Sequence, residues 1–413
     1  MSEDLKYIYI KNITIMTQNN IAIVSINNKT FEIHGLENLD NNTDYEIGMC
    51  NVCNSSITSY VQIYAEYHGY LAFIVCIFGT IANIFNIIVL TRKEMACVPI
   101  NRILTGLAVT DMLLMVEYMI FAYYYHAVVM KEYQFPYWGA VFMLVHIHFT
   151  QIAHTVSICL TLTLAVWRYL AIGYPERSSV LCSETRCTIA ICLSYVLPII
   201  LCIPTYFAFS IKGVQVEEDG KFYVLYTSSI SSNENFIIFN LWTYAVVMKL
   251  FPCLILTVIS AWLIKTLYKA KKRKKVLKSY NQIPKETVDS SGNIKKKSKA
   301  ERRAERTTKM LVAVLILFLI TEFPQGIFGL LSGLKGKCFF LSCYQEFGDI
   351  MDMLALLNGS INFILYCSMN RMFRVMFGQM FRKRIFIKLS GKSRNTDAHT
   401  TTTAMAVTNT TEI

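Results

Sequence analysis

Charge is scarce in this chain: Asp, Glu, Lys and Arg make up 16% of its 413 residues, against 54% apolar residues. A soluble protein of that length has too small an interior to hide so much apolar surface, so the composition points to a polytopic membrane protein. Enzyme signatures are missing too. No Walker loop, no HExxH and no GxSxG in context occurs, which argues against the chemistries those motifs carry. An inverted internal repeat is absent, which argues against a channel or transporter. The net charge of +12 gathers in a few Lys/Arg runs, a pattern that speaks of membrane orientation and not of nucleic acid.

What is present is a series of apolar spans, at roughly 68–91, 98–126, 138–171, 186–210, 239–268, 307–332 and 347–368. Each is long enough for the roughly 20 residues a bilayer core requires. The expected fold is therefore an all-α membrane protein, a seven-helix bundle over 67–370. Basic runs, TRKE after the first span and KKRKK to AERRAER in the 269–305 loop, belong on the cytoplasmic side by the positive-inside rule. Those lysines serve equally as juxtamembrane anchors for anionic lipid. Residues 1–66 then form an extracellular tail, with sequons at Asn12, Asn28, Asn41 and Asn54 for glycosylation. That tail has no charged start and apolar core of a cleavable signal, so the first span is expected to direct insertion. After the seventh span, 371–386 alternates Phe/Met with Arg/Lys as an amphipathic helix on the inner leaflet would. The Ser/Thr-rich stretch 387–413 reads as a disordered cytoplasmic tail.

The third span ends in Trp167, Arg168 and Tyr169, within WRYLAI. An Arg at that depth costs roughly 2.5 to 3.5 kcal/mol to insert, so it must face protein or water. This segment resembles the D/E-R-Y motif of rhodopsin-like G-protein-coupled receptors. Further marks appear in the family's order over about Tyr64 to Ile385: Asn83, Asp111 in LAVTD, Pro252, Pro324, and Asn362 with Tyr366 in NGSINFILY. The resemblance implies that Asp111, Ser157, Asn358 and Asn362 form a sodium pocket. A hydrogen-bonded water cluster around a protonated Asp111 is the alternative. It also implies that Ile158, Pro252 and Phe318 form a packing switch, against the plain reading that they are core. Arg168, Tyr366 and the basic inner ends would engage a heterotrimeric G protein, with arrestin as a further partner.

Several departures accompany the resemblance. Trp167 and Ala304 stand where acids are customary, leaving Glu301 or Glu305 to lock Arg168; Phe363 replaces a proline, and Glu322 in TEFPQG replaces a Trp. Met143 and a cysteine-free 211–238 remove the usual disulfide. Cys50, Cys53, Cys338 and Cys343 are expected to form two others over the outer mouth, with three pairings open. Together WRY, TEFPQG and FGDIMDMLALLNGSINFILYCSMN resemble invertebrate myosuppressin receptors among the FMRFamide-type neuropeptide receptors, and a related group of nematode serpentine chemoreceptors. The resemblance implies a ligand ending in Arg-Phe-amide and Gi/o coupling; a small odorant is the alternative ligand.

Thr150 stands where an amine receptor needs Asp, and Leu356 where an opsin needs Lys, so neither a monoamine nor retinal is expected. A cationic peptide needs carboxylates in a water-accessible mouth. Asp352 and Glu117 are the first candidates, followed by Asp349 and the deeper Glu322, with Thr150 and His154 as polar contacts. Tyr118, Phe121, Tyr124, Phe149, Phe323 and Phe328 are either receivers for the ligand's Phe or ordinary packing. His146 and His148 point to different helix faces, which argues against a shared metal.

Overall fold

The structure is a computed structural model of the whole chain; it describes residues 13–18, 21–26, 29–33, 55–124, 136–216, 220–227, 234–280, 299–335, 339, 343–344, 347–369 and 371–380. Seven helices are long and apolar enough to cross a membrane. They are α1 Ser55–Leu90, α2 Pro99–Tyr124, α3 Tyr137–Gly173, α4 Glu184–Leu201, α5 from Glu234 to Tyr280, α6 Lys299–Lys335 and α7 Gly348–Met369. A further helix, α8, covers 371–380. The helices close into a ring, α7 returning onto α1, while α3 touches α2, α4, α5 and α6 and so forms the axis. The ring leaves the outward stripes apolar: Ile189, Leu193, Val196 and Ile200 of α4 are all exposed, as a surface solvated by lipid tails requires.

Local chemistry sets the helix limits. Pro175 drives the residue before it out of the helical region, and Tyr174 accordingly ends α3 with φ −127° and ψ 65°. The fourth span is shorter than expected: α4 stops at Leu201, a single turn follows at Ile203–Tyr206, and the chain turns into a strand at Phe209. In α5 the stretch Thr243–Leu250 is a π-helix lying directly before Pro252. Pro252 has no N–H to give to the Met248 carbonyl, so the regular ladder is already broken there and a wider turn costs little.

The N-terminal tail also carries strands. β1 Ile13–Gln18, β2 Ile21–Ile26 and β3 Lys29–Ile33 form an antiparallel sheet, a feature absent from the sequence reading. A hairpin, β4 Phe209–Val216 with β5 Gly220–Thr227, pairs from Phe209↔Thr227 to Val216↔Gly220 and lies against α3. Tyr223 of this hairpin meets Tyr137 edge-on at 5.1 Å between ring centroids. An aromatic contact thus joins hairpin and α3 near the position of the missing disulfide.

Two close approaches fix the bundle. Asn83 of α1 donates to the Gly359 carbonyl of α7 at 3.1 Å. A Cβ at Gly359 would stand 2.9 Å from Met115 Cε and 3.3 Å from Asp111 Cγ. Gly359→Val is expected to force α7 off α2 at a cost of about 1 to 3 kcal/mol and to lower surface display of the folded protein. Surface labelling equal to that of the parent chain would show that α2 and α7 can part freely.

Candidate ligand site and transmission core

A cluster of ionisable side chains lies inside the bundle toward the end at which α1 begins. Its centre is a buried ionic triad from three helices. Glu322 of α6 accepts at Oε2 from Lys249 Nζ of α5, and from His154 Nε2 of α3, each at 2.8 Å. Lys249 and Glu322 are each 1% exposed. The π-helical turn brings Lys249 inward from what would otherwise be an apolar span, a use for which such turns are known. Lys249 Nζ also donates to Gln325 Oε1 at 2.7 Å, Gln325 Nε2 donates to the Tyr244 hydroxyl at 3.0 Å, and the Tyr344 hydroxyl reaches Tyr244 at 3.4 Å. A continuous polar ladder therefore descends from Tyr344, just before α7, to Glu322. The remaining carboxylate oxygen, Glu322 Oε1, is buried and accepts no hydrogen bond from the described residues.

A second carboxylate cluster lies beside it. Glu117 of α2 stands 2.7 Å from His146 Nδ1 and accepts from the Thr150 hydroxyl at 3.3 Å, both on α3. Phe121 stacks flat on His146, 3.6 Å between ring centroids. Asp352 of α7 is half-buried within electrostatic reach of the Asp349 carboxylate and of His146, His154 and Lys249. It makes no hydrogen bond or ion pair with any described residue. Asp349 lies one turn earlier at the start of α7 and is not without contacts of its own. Glu117, Thr150, His154, Glu322 and Asp352 thus meet in one region. His148, by contrast, turns to Tyr206 and Phe209, on a different face from His146.

The aromatic candidates separate. Tyr118 is buried and bonded to His68 at 2.9 Å, and Tyr124 is buried against Trp138 and Phe142. Phe323 falls on the exposed stripe of α6 with Ile316, Ile320 and Ile327. It therefore faces outward and not toward a ligand, because it adjoins Glu322 in sequence and points some 100° away from it.

Below the triad, Ser157 donates to Asp111 Oδ1 at 3.0 Å and Asn362 Nδ2 donates to Oδ2 at 3.2 Å. Asn358 is buried nearby without a hydrogen bond to Asp111. Asn362 Oδ1 is buried with no donor among the described residues, so an oxygen-rich set of the kind hard cations prefer is at hand. Ile158 and Phe318 belong to one apolar cluster with Cys253 and Leu256, and Pro252 is buried beside Cys253. Pro324 lies inside the continuous helix α6, two residues past Glu322.

At the opposite end, Trp167 is buried in a cluster with Leu104, Leu164 and Cys187. Its indole serves packing where an acid would have paired with Arg168. The Nε and Nη2 atoms of Arg168 are buried without hydrogen-bond partners among the described residues. The side chains of Glu301, Ala304 and Glu305 lie outside the described residues. Tyr169 meets Trp262 of α5 edge-on at 4.7 Å. Tyr366 is 1% exposed, and Phe363 packs on Phe85, Phe373 and Phe377. The phenyl ring in the proline's place thereby glues α7 to α1 and α8, whose Arg374 donates to the Cys367 carbonyl at 2.8 Å.

Cys343 is buried and disulfide-bonded, while Cys50, Cys53 and Cys338 lie outside the described residues. Asn12, Asn28, Asn41 and Asn54 also lie outside them.

Lys249 and His68 went unnoticed in the sequence, as did Gln325 and Tyr244. The signal for Lys249 was available: a lone cation in TYAVVMKLFPC, inside an apolar span, is a functional candidate by default.

The profile described as "Serpentine type 7TM GPCR chemoreceptor Srw" matches residues 70–384. The G-protein coupled receptor dmsr-1 of Caenorhabditis elegans is 30% identical over 384 residues, covering 83% of this chain and 75% of that protein. The FMRFamide receptor of Drosophila melanogaster is 26% identical over 338 residues; the match takes in 79% of this chain but about half, 54%, of that receptor. The Sex peptide receptor of the same fly is 26% identical over 374 residues, covering 86% and 80%. With a closed ring of seven membrane-spanning helices and a family match over most of its length, the chain belongs to the Srw family of serpentine seven-transmembrane G-protein-coupled receptors, and is a receptor and not an enzyme.

Proposed function

We propose that this receptor answers an extracellular amidated peptide ending in Arg-Phe-amide, with the tail side outside the cell, and signals through a Gi/o protein. The observation that carries the reading is Asp352: a half-buried carboxylate with no hydrogen bond or ion pair to any described residue, between the Glu117 and Glu322 clusters and beside the Asp349 carboxylate. A carboxylate held this way is costly unless a cation meets it, and a guanidinium does so bidentately. The likeness to an FMRFamide receptor supports the choice of peptide, and Gi/o coupling rests on the resemblance to that receptor type. The ligand acts by binding one arrangement of the helices better than the other. Glycosylation at the four tail sequons, a second disulfide, residence in the plasma membrane, a sodium ion at Asp111, Ser157, Asn358 and Asn362, and arrestin binding complete the proposal. An ion there would supply charge to pair with Asp111; the chain's own part is to hold the carboxylate between α3 and α7.

G-protein activation in cells displaying the receptor, challenged with Arg-Phe-amide peptides, tests the reading. Asp352→Asn is expected to raise the half-maximal concentration about 10- to 100-fold, the worth of one hydrogen bond to a charged group, at unchanged surface display. Unchanged potency removes Asp352 from the site. The Srw profile is described as that of a chemoreceptor, which favours a small-molecule ligand as the second reading; silence of the displayed receptor toward all such peptides, with several G proteins supplied, selects it.

A further inference from the structure

We infer that Glu322 and Lys249 form a subsite that reads a primary carboxamide and rejects a carboxylate, so that the ionic triad is the receptor's filter for an amidated ligand terminus. The inference rests on the peptide reading and adds to it a place and a rule.

The donors and acceptors of the triad are unequally used. Lys249 has three N–H groups; two are engaged in hydrogen bonds, by Glu322 Oε2 and Gln325 Oε1, and the ammonium also stands 5.9 Å from the Tyr244 ring centroid, a weaker contact that a carbonyl acceptor can replace. Glu322 Oε2 accepts from both Lys249 and His154, whereas Oε1 accepts from no described group although it is buried. What is left over is one cationic donor beside one anionic acceptor. A primary carboxamide presents the complement, a carbonyl for the Lys249 N–H and an N–H for Glu322 Oε1. A free carboxylate has no proton to give, and its oxygen would confront Oε1 in a region of low dielectric, where like charges repel strongly. The alternative for these residues, a purely structural pair, leaves Oε1 unmatched at a cost that buried polar groups seldom carry.

The ladder above the triad gives the approach. Tyr344, Tyr244 and Gln325 line the way down from the tail side, and His154 keeps 15% of its side chain exposed. Oε1 is closed off in this arrangement, so the amide reaches it only when contacts about the triad loosen, the Lys249–Gln325 bond among them. Those two residues join α5 to α6, so the terminus favours a repositioned pair of helices over the present one. A bond that exists in one arrangement only is what a ligand needs to shift the equilibrium.

The test uses the full chain in cells, with Phe-Met-Arg-Phe-amide and its free acid as the paired probes and surface labelling as the display control. For the parent receptor the amide is expected to be at least about tenfold more potent, the ratio one lost hydrogen bond to a charged group produces. In Glu322→Gln that ratio is expected to collapse toward one from both sides. The substituted side-chain amide offers an N–H to a carboxylate, and Lys249, deprived of its anion, accepts the ligand's own. Should Glu322→Gln not reach the surface, the neutral pair Lys249→Met with Glu322→Gln replaces it, again with an expected ratio near one. An unchanged ratio in the displayed variant overturns the filter, as does a parent receptor that answers amide and acid equally. A parent receptor that answers neither peptide overturns the peptide reading and the filter together.

Discussion

Lys249→Ala is expected to abolish most of the folded receptor at the cell surface. Lys249 is 1% exposed, and its ammonium is the direct cationic partner of Glu322 at 2.8 Å. Removing it leaves the Glu322 carboxylate in the bundle core with only His154 beside it, and breaking one side of a buried pair typically costs about 3 to 5 kcal/mol. That is a large share of the roughly 5 to 15 kcal/mol that ordinarily separates folded from unfolded protein. Surface labelling and thermal unfolding of the detergent-extracted receptor read the effect. The neutral pair Lys249→Met with Glu322→Gln should recover much of the loss, because it removes both charges at once. Equal damage from the single and double variants would show that Lys249 contributes packing and not charge.

Arg168→Ala is expected to separate binding from signalling. Two of the guanidinium's nitrogens are buried without partners among the described residues, so the side chain is desolvated yet uncommitted, and truncation removes no bond at those two atoms. Ligand affinity at the opposite end should therefore stay nearly level. G-protein activation should fall on the order of ten- to a hundredfold, the range of a coupling free energy of about 1 to 3 kcal/mol. Peptide binding measured alongside nucleotide exchange decides it. Normal exchange by the variant would move the coupling role away from Arg168, and a parallel loss of binding would mark Arg168 as a structural residue.

Seven spans, their order and the end-motifs are written in runs of apolar residues that any bilayer would sort in the same way, and they match the helices observed. Asp111, Ser157 and Asn362 were grouped in the sequence through the family resemblance and are hydrogen-bonded here, whereas Glu117 and Thr150 were separate candidates that the fold brings together. The strands were less visible. The hairpin Phe209–Thr227 alternates apolar and polar residues over only a few positions, a short signal beside the helical periodicity of its neighbours. The fourth span looked longer for the same reason, its apolar run continuing past Pro204 although the helix does not.

By itself, then, the sequence determined the solvent, the number of crossings and the family, because hydropathy and short motifs are local properties. Only the tertiary structure decided which ionisable groups meet. Glu322 and Lys249 are 73 residues apart and Glu322 and His154 are 168 apart. Nothing local records that a π-helical turn before Pro252 swings Lys249 into the bundle. Nor does it record that Asp352 is left without a hydrogen bond or ion pair to any described residue while Glu117 finds His146. Ion pairing depends on which faces three helices present to one another across a few ångströms, and that is settled when the ring closes.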